Sequence, residues 1–232
     1  MYQVLAKYYD ILTDDQDAMK QWLNFVELHH NGGNILELAC GSGTLAKLLA
    51  DKHYKIEASD ISKDMINIAR DKLKGTNVNI YEFNMINIQL DKNYDNIICF
   101  CDSINYLETN DDVKRMFKSV YEHLNDQGVF MFDIHSIDRL DEFKDEFFEE
   151  GLIGSNSYEW SITTMDDSLY HQFVFYNEDG IPTVENQIQR VYDIKFIEEI
   201  LVECGFSYKV YTDFDKKGIV AGEKYFYVAT KD

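Results

Sequence analysis

Residues 34–44 read Asn-Ile-Leu-Glu-Leu-Ala-Cys-Gly-Ser-Gly-Thr, an apolar run that ends in two glycines one residue apart. The leucines that follow continue at helical spacing, so the pattern predicts a strand, a glycine turn and a helix. Gly41 and Gly43 lack Cβ atoms, which lets the turn take positive φ and lets a ligand contact the backbone. The first turn of the helix offers unpaired N–H groups. This combination is typical of a nucleotide-binding turn.

Glu37 changes which nucleotide the turn would suit. Its carboxylate precedes Gly41 by four residues, near the end of the predicted strand. There it would repel a pyrophosphate and attract a cation. S-adenosylmethionine carries both a sulfonium and an ammonium group, so the motif favours this cofactor.

The composition is that of a soluble globular chain. Its 232 residues fit one domain with a modest insertion, and 45% of them are hydrophobic, enough for a core without disulfides or metals. No apolar run has the length of a membrane span, and the N-terminus does not resemble a signal peptide. The cysteines lie within apolar patterns, which suits a reducing compartment, and they lack zinc spacing: Cys40, Cys99, Cys101 and Cys204. We therefore expect a cytoplasmic protein without a metal.

The chain is strongly acidic. Its net charge is −20, which disfavours nucleic acids and anionic membranes as partners. Residues 138–193 contain fourteen acidic and three basic residues, a net charge of −11. This segment is either a solvated face or an entrance that attracts cationic substrates.

Apolar periodicity predicts alternating helices and strands. A helix over residues 18–29 precedes the glycine-turn strand, another helix covers 113–124, and further strands are predicted at 55–60, 78–83, 96–101 and 128–134. The run at 96–101 is almost entirely apolar, as expected of a parallel strand covered on both faces. The pattern is that of an α/β protein with a mostly parallel sheet.

The alternation changes after residue 134. Three successive strands are predicted at 158–164, 169–176 and 183–192, with acidic turns between them. A helix over 194–204 and a terminal hairpin of 208–214 with 224–229 follow. The three strands indicate a small antiparallel insertion, which could cover a pocket at the carboxyl ends of the parallel strands.

With these elements in place, the chain resembles the class I S-adenosylmethionine-dependent methyltransferases. Within this class it is similar to the small-molecule enzymes that include N-methyltransferases of amino acids and amino sugars. The motifs that carry the resemblance follow the first four strands: residues 37–44, Asp60-Ile61-Ser62, Asn84-Met85 and residues 102–107. The resemblance covers nearly the whole chain outside the insertion.

The resemblance implies an α/β, Rossmann-like, doubly wound sheet of seven strands in the order 3-2-1-4-5-7-6, with strand 7 antiparallel. We expect residues 1–137 and 194–232 to form the S-adenosylmethionine-binding domain. Residues 138–193 would form a lid or substrate subdomain inserted after strand 5. The implied reaction is in-line transfer of a methyl group to a small-molecule nucleophile.

The resemblance also implies which residues bind the cofactor. Glu37, Gly41 and Gly43 would contact the methionine moiety, and Asp60, nineteen residues after Gly41, would accept both ribose hydroxyls. The remaining cofactor positions are Ile61 against adenine, Asn84 and Met85 at its edge, and Ala39, Cys101 and Ser103 at the strand ends. The family usually has Asp where Asn84 stands, but an amide oxygen can still accept a hydrogen bond from the adenine amino group.

Candidate catalytic residues lie at the N-terminus and at the end of the fifth strand. The segment Lys7-Tyr8-Tyr9-Asp10 resembles a family segment whose tyrosine closes over the cofactor and the reacting centre. We assign Tyr9 to the cofactor and to catalysis, with Tyr8 as the second choice. Asp133, His135 or Tyr9 could remove a proton from the acceptor, but no pair in the sequence identifies a base. That absence and the acidic insertion both favour an amine acceptor.

The same residues allow several different interpretations. Glu37 and the glycines could serve only the turn, Asp60 could be a helix cap, and Trp160 and His171 could only pack the insertion. A nicotinamide-dependent oxidoreductase would share the glycine turn and Asp60, although Glu37 opposes its pyrophosphate. O-methylation of a small molecule is also open, as is a non-catalytic binding protein with this fold.

Overall fold

The computed structural model describes residues 4–12, 16–177 and 180–232. The parallel part of the main sheet consists of β1 (Asn34–Leu38), β2 (Lys55–Asp60), β3 (Asn79–Glu82), β4 (Tyr94–Cys99) and β5 (Leu124–His135). The helices before and between these strands are α1 (Leu5–Leu12), α2 (Gln16–His29), α3 (Thr44–Asp51), α4 (Lys63–Lys72) and α5 (Asn110–His123). A 3₁₀ turn, Ser103–Tyr106, follows β4. The chain therefore has the predicted α/β alternation.

A second group of elements lies between β5 and the C-terminus. These are α6 (Asp138–Glu142), β6 (Phe147–Ile153), β7 (Asn156–Met165), β8 (Ser168–Tyr176), β9 (Pro182–Arg190), α7 (Ile194–Cys204), β10 (Phe206–Thr212), β11 (Lys216–Lys217) and β12 (Lys224–Lys231). The helix α7 has the predicted bounds. Its N-cap Asp193 accepts from Lys195 N, and Gly205 ends it in the left-handed conformation, so both ends follow directly from local sequence.

The main sheet has the strand order β3-β2-β1-β4-β5-β12-β10-β11. Pairing is parallel from β3 through β5, and β12 lies antiparallel between β5 and β10. With β10 and β12 counted as the sixth and seventh strands, the predicted order 3-2-1-4-5-7-6 is confirmed. The two-residue β11 is an edge strand beyond the predicted seven.

Helices cover both faces of this sheet. Successive side chains of a strand point to opposite faces, so apolar side chains from the same strand are buried under helices on each side. On one face, Leu36 and Ile97 belong to the apolar cluster that includes α5 and α7. On the other face, Ile35 and Ile98 belong to the cluster that includes α2 and α3. All four side chains are fully buried. The central strands are therefore apolar at consecutive positions and not only at alternate ones.

The second sheet is antiparallel, with the order β6-β7-β8-β9. It contains the three predicted strands and one more, β6. The sequence gives little indication of β6 because Phe147 and Phe148 are followed by Glu149 and Glu150, without period-two alternation, and its first four residues are exposed. A small apolar cluster of Phe143, Ile162, Leu169 and Val191 lies at one end of the sheet.

The helix α1 packs on the second sheet. Leu5 is buried against Phe173 and Phe175 of β8, and the Glu185 carboxylate of β9 accepts from the amide nitrogens of Val4 and Leu5. The four cysteines are unpaired. In the described part of the chain, no helix has the length and apolar composition needed to cross a membrane.

Candidate active site

The glycine turn connects β1 to α3, and its two glycines have different structural roles. Both have positive φ, 54° at Gly41 and 79° at Gly43. A Cβ on Gly43 would lie 3.1 Å from the Cβ of Ala69 in α4, so Gly43 allows close packing of that helix. A Cβ on Gly41 would meet nothing within 4 Å, so the backbone there is open to a ligand.

Glu37 lies beside this open backbone and is 5% exposed. Its Oε2 is buried and has no hydrogen-bond partner among the described residues. Burial, reinforced by the nearby Asp60 carboxylate, raises the pKa of Glu37 to about 8. A buried carboxylate with a free acceptor atom suits a cationic donor, and an ammonium group would restore its charged form.

A cavity of about 1060 Å³ lies at the carboxyl ends of β1 and β4, where the glycine turn, α1 and the second sheet meet. Ligands of doubly wound sheets bind in this position. Several of the predicted site residues line the cavity: Tyr9, Glu37, Ala39, Gly41, Cys101, Ser103 and His135. Ala39, Cys101 and Asp102 have positive φ without being glycines, so part of the cavity wall is strained backbone.

Tyr9 reaches the cavity from α1. Its pKa is well above the usual value, first because of burial and then because of nearby Tyr106, Cys101 and Asp102. The Tyr9 phenol therefore stays protonated at neutral pH. It can donate or accept a hydrogen bond, but it is not a phenolate that could remove a proton. Tyr8 points to the second sheet, where its hydroxyl accepts from Asn156 Nδ2 at 2.8 Å. Between the two tyrosines, Tyr9 is the one at the cavity.

Five of the predicted cofactor residues do not line the cavity: Gly43, which packs against α4, and the four that follow β2 and β3. Asp60 accepts from Gly41 N at 2.8 Å and from Ser62 N at 2.7 Å, so it supports the glycine turn and holds Ser62, the residue that caps α4. Ile61 is 61% exposed, and Asn84 is exposed with its Oδ1 accepting from Ile86 N. Met85 packs against the main core. These residues follow β2 and β3 at the same edge of the sheet, where Ile61 and Asn84 are exposed.

The structure gives Asp133 a supporting position outside the cavity lining. It is fully buried, and its carboxylate accepts from Trp22 Nε1 at 2.9 Å, Cys101 N at 3.2 Å and Asp102 N at 2.9 Å. Burial raises its pKa to about 6, against the opposing effect of Lys224. Asp133 thus fixes the strained backbone after β4, which places the side chain of Asp102.

His135 has neighbours that the sequence motifs do not assign to it. Its Nδ1 lies 3.4 Å from Asp102 Oδ1, and its Nε2 lies 2.9 Å from Gln189 Oε1. The second carboxylate oxygen of Asp102 accepts from Lys224 Nζ at 2.5 Å, and Lys224 is the cross-strand neighbour of His135 on β12. Asp102 belongs to the motif after strand four and could have been found from it. Lys224 and Gln189 have no signal in the sequence.

A polar cluster fastens α1 to the glycine turn. Lys72 Nζ of α4 donates to Asp10 Oδ2 at 2.7 Å, Ser42 Oγ at 2.8 Å and Thr44 Oγ1 at 2.6 Å. Ser42 also donates to Asp10 Oδ1 at 2.5 Å. Tyr9 is next to Asp10, so this cluster holds the tyrosine over the cavity. The lysine belongs to α4 and has no motif of its own.

The glycine turn, the buried acceptor beside it and the cavity at the carboxyl ends of parallel strands define a nucleotide-cofactor-binding α/β protein. Residues 35–128 match the family model described as a methyltransferase domain. The putative methyltransferase YqeM of Bacillus subtilis is 32% identical, over 100% of this chain and 97% of its own length. The chain belongs to the class I S-adenosylmethionine-dependent methyltransferases, in the family of YqeM.

Solved structures agree with this assignment. An S-adenosylmethionine-dependent methyltransferase from Clostridium acetobutylicum is 27% identical, with a TM-score of 0.82 over 96% of this chain and 95% of its own. The sugar N-methyltransferase KedS8 of Streptoalloteichus has a TM-score of 0.80 over 100% of this chain and 94% of its own. At 17% identity the second likeness shows the fold alone. The protein is therefore an enzyme that transfers methyl groups, and S-adenosylmethionine is its cofactor.

Proposed function

We propose that this methyltransferase acts on the nitrogen of a small molecule bound in the cavity between the glycine turn and the second sheet. The observation that carries the proposal is the cavity itself. Its wall includes Trp160, Phe173 and Gln189 of the second sheet, facing Glu37 and Gly41 of the cofactor turn. A volume of about 1060 Å³ lies at the upper end of small-ligand pockets, as expected for a cofactor moiety and a small acceptor together.

The cofactor end would be organised by residues of the predicted set. Glu37 would receive the ammonium group on its unpartnered oxygen, and Gly41 would leave the room that a Cβ would occupy. Asp60 still has a lone pair for a ribose hydroxyl, since a carboxylate accepts about four hydrogen bonds and the backbone N–H groups of Gly41, Ser62 and Ile61 use up to three. When bound, S-adenosylmethionine supplies an electrophilic methyl group on a positively charged sulfur.

The residues of this chain would contribute alignment and exclusion of water. Tyr9 from α1 and Trp160 from the second sheet would close the cavity over the reacting groups, which makes the displacement effectively unimolecular. We infer that residues 138–193 are the predicted lid or substrate subdomain, because this segment contributes side chains to the acceptor end. The remaining predicted cofactor positions, Ile61, Asn84 and Met85, would hold adenine on the open edge of the sheet.

Two features support an amine acceptor. Asp102 Oδ1 and His135 Nδ1 are buried acceptors without hydrogen-bond partners among the described residues, and a nitrogen with two or three protons could satisfy both. The net charge of −11 over residues 138–193 would attract an ammonium ion and repel nucleic acid. The presence of an Asp–His pair also makes an alcohol acceptor chemically feasible, so N- and O-methylation need a direct test.

The test is release of S-adenosylhomocysteine with matched acceptors. Purified enzyme and S-adenosylmethionine are incubated with a panel of amino acids, amino sugars and alkylamines, each paired with the corresponding alcohol. Turnover with amines and not with their alcohols supports the proposal, and methylation of the alcohols or of carboxylates would overturn it. Binding of S-adenosylmethionine without turnover on the panel would favour a non-catalytic binding protein.

Variants connect turnover to the cavity. Asp102→Asn removes the negative charge that faces His135 and should lower turnover with the active amine at least tenfold. Asp141→Asn is the matched control, because Asp141 is an exposed residue of α6 that pairs with Lys144 outside the cavity. Equal turnover by the two variants would exclude Asp102 from the reaction.

A further inference from the structure

A series of hydrogen-bonding side chains crosses from the second sheet to the end of β5. Trp160 Nε1 lies 3.4 Å from His171 Nδ1, and His171 Nε2 lies 3.0 Å from Gln189 Oε1. The same Gln189 oxygen lies 2.9 Å from His135 Nε2. The opposite ring nitrogen of His135, Nδ1, faces Asp102 Oδ1 at 3.4 Å. All five residues line the cavity.

The chemistry of the first residue fixes the direction of the whole series. An indole N–H can only donate, so His171 Nδ1 accepts from Trp160. A neutral imidazole that accepts at Nδ1 carries its proton on Nε2, so His171 donates to Gln189. The amide atom of Gln189 between the two rings must then be its oxygen. Because this oxygen can only accept, His135 also donates to it from Nε2.

Both histidines are neutral at neutral pH. Burial, together with the nearby His135, lowers the pKa of His171 to about 4. Burial also lowers the pKa of His135, and Lys224 and Arg139 act in the same direction, whereas Asp102 and the bond to Gln189 oppose the shift. A neutral His135 with its proton on Nε2 has a lone pair on Nδ1. This explains why both Nδ1 and Asp102 Oδ1 are without hydrogen bonds among the described residues: two acceptors face each other.

We infer that Gln189 and His171 are positioning residues that hold His135 in its Nε2–H form, so that Nδ1 and Asp102 Oδ1 together accept a proton from the methyl acceptor. The inference rests on the proposed function in one respect, that the acceptor occupies this part of the cavity. In the step, an N–H bond of the ammonium substrate breaks and its proton moves to Nδ1. The electron pair stays on nitrogen, which then becomes nucleophilic.

The groups around the pair suit this role. Burial opposes the ionisation of Asp102, but His135, whenever its ring is protonated, and Lys224, which stays charged at neutral pH, hold the pKa of Asp102 below its usual value. Asp102 is therefore a carboxylate before the proton arrives, and it stabilises the imidazolium afterwards. The positive charges of Lys224 and Arg139 lower the pKa of His135, so its ring stays neutral when no substrate is bound. The second sheet thus contributes to the reaction through the protonation state of a core residue.

The experiment is a measurement of the histidine tautomer in the 232-residue chain without substrate. Long-range ¹H–¹⁵N correlation spectra of protein labelled with ¹⁵N-histidine distinguish Nε2–H from Nδ1–H imidazoles. The chain has six histidines, and a His135→Asn variant assigns the signals of His135. Native protein at pH 7 should show His135 as the Nε2–H tautomer. A dominant Nδ1–H form would overturn the inference.

Variants of Gln189 test whether it sets the tautomer. Gln189→Leu removes the acceptor, and the ratio of Nδ1–H to Nε2–H forms of His135 should rise roughly fivefold or more. Gln189→Glu keeps an acceptor for both rings, so the Nε2–H form should persist, with the pKa of His135 raised by the new charge. Unchanged His135 signals in the leucine variant, or loss of the Nε2–H form in the glutamate variant, would refute the positioning role.

A matched control and a binding measurement separate this inference from the proposed function. Gln172→Leu makes the same change on β8, where the exposed Gln172 side chain donates to Asn186 outside the cavity lining, and should leave the His135 signals unchanged. Calorimetry with S-adenosylmethionine is run on each variant. If the amine panel gives no turnover while the tautomer results hold, the acceptor assignment fails and the positioning role stands. If the Gln189→Leu variant binds the cofactor normally but His135 keeps its native tautomer, only the positioning role of Gln189 fails.

Discussion

Glu37 should make cofactor binding depend on pH. Without ligand its carboxyl group is buried and has a pKa of about 8, so it is protonated at neutral pH. An ammonium group placed against Oε2 would stabilise the carboxylate and lower this pKa in the complex. Binding of S-adenosylmethionine should therefore release a proton from Glu37, and the affinity should increase as pH rises towards 8.

The size of the effect follows from the pKa shift. A carboxyl group with a pKa of about 8 is about nine-tenths protonated at pH 7, so binding at that pH should release about 0.9 proton. The dissociation constant should fall by up to about tenfold per pH unit between pH 6 and 7.5. Above that range the ligand's own α-amino group, with an ordinary pKa of about 7.7–8.0, begins to lose its proton, and the affinity should stop increasing.

The same shift predicts how stability depends on pH. The folded pKa of Glu37 is higher than its unfolded value of 4.5, so its contribution to stability is complete below pH 4.5 and is lost as pH rises through about 8. The largest possible loss is about 5 kcal/mol, from 1.36 kcal/mol per pKa unit. Glu37→Gln should remove this part of the pH dependence, as measured by urea unfolding of the ligand-free protein at several pH values.

Calorimetry in buffers with different ionisation enthalpies measures the released proton directly. The Glu37→Gln variant should bind more weakly and release no proton between pH 6 and 7.5. S-adenosylhomocysteine should behave like S-adenosylmethionine, because both carry the ammonium group. 5′-Methylthioadenosine lacks the amino-acid moiety and should bind without proton release. Binding of S-adenosylmethionine by the native protein with no proton release at pH 7 would refute the pairing of Glu37 with the ammonium group.

Three further predictions concern the packing around the cavity. Gly43→Ala should lower the free energy of unfolding by about 1–3 kcal/mol, because the new Cβ would press against α4. Gly41→Ala also has positive φ but no neighbour within 4 Å, so it should lower the free energy of unfolding by only about 1 kcal/mol. Equal losses in urea unfolding would contradict the packing role of Gly43. Asp133→Asn should lower the free energy of unfolding by about 1–3 kcal/mol, because one amide oxygen cannot accept from all three N–H donors. Loss of turnover with unchanged stability would instead favour a direct catalytic role for Asp133. Lys72→Met should speed hydrogen exchange of the α1 amides about two- to fivefold, because it removes the bond from Lys72 to Asp10. Lys74→Met breaks only an exposed ion pair and should leave the exchange rates unchanged. Equal rates in both variants would show that Lys72 does not hold α1.

Much of the fold could be predicted because local patterns and chain connectivity determine it. The apolar run at residues 96–101 indicated a central strand, and β4 is buried on both faces. Asp193 and Gly205 marked both ends of α7. The strand β6 could not be predicted, because its exposed, acidic sequence has no alternation and it pairs only with β7. The edge strand β11 is two residues long, too short for any periodicity.

The candidate site divides in a similar way. Glu37, Gly41 and Tyr9 could be found from motifs, since each lies within a short segment whose residues are consecutive in sequence. Sequence position alone groups Asp133 with His135, because both end β5. Alternate residues of a strand share a face, so the pattern predicts the same surroundings for both. In the structure, the strained backbone after β4 supplies two of the three N–H donors that surround Asp133. His135 instead lines the cavity. That distinction depends on where a neighbouring strand ends, which a one-dimensional pattern does not contain.

The sequence by itself determined the class of fold, the glycine turn and the acidic character of residues 138–193, because each is expressed by residues close together in the chain. Only the tertiary structure brought Asp102, His135 and Gln189 together, over separations of 33 and 54 residues. Strand pairing sets those distances, and hydrogen-bond direction then sets the proton on each ring. Sequence periodicity predicts the face on which a side chain lies, whereas the partner across the cavity is decided by the packing of the second sheet against the first.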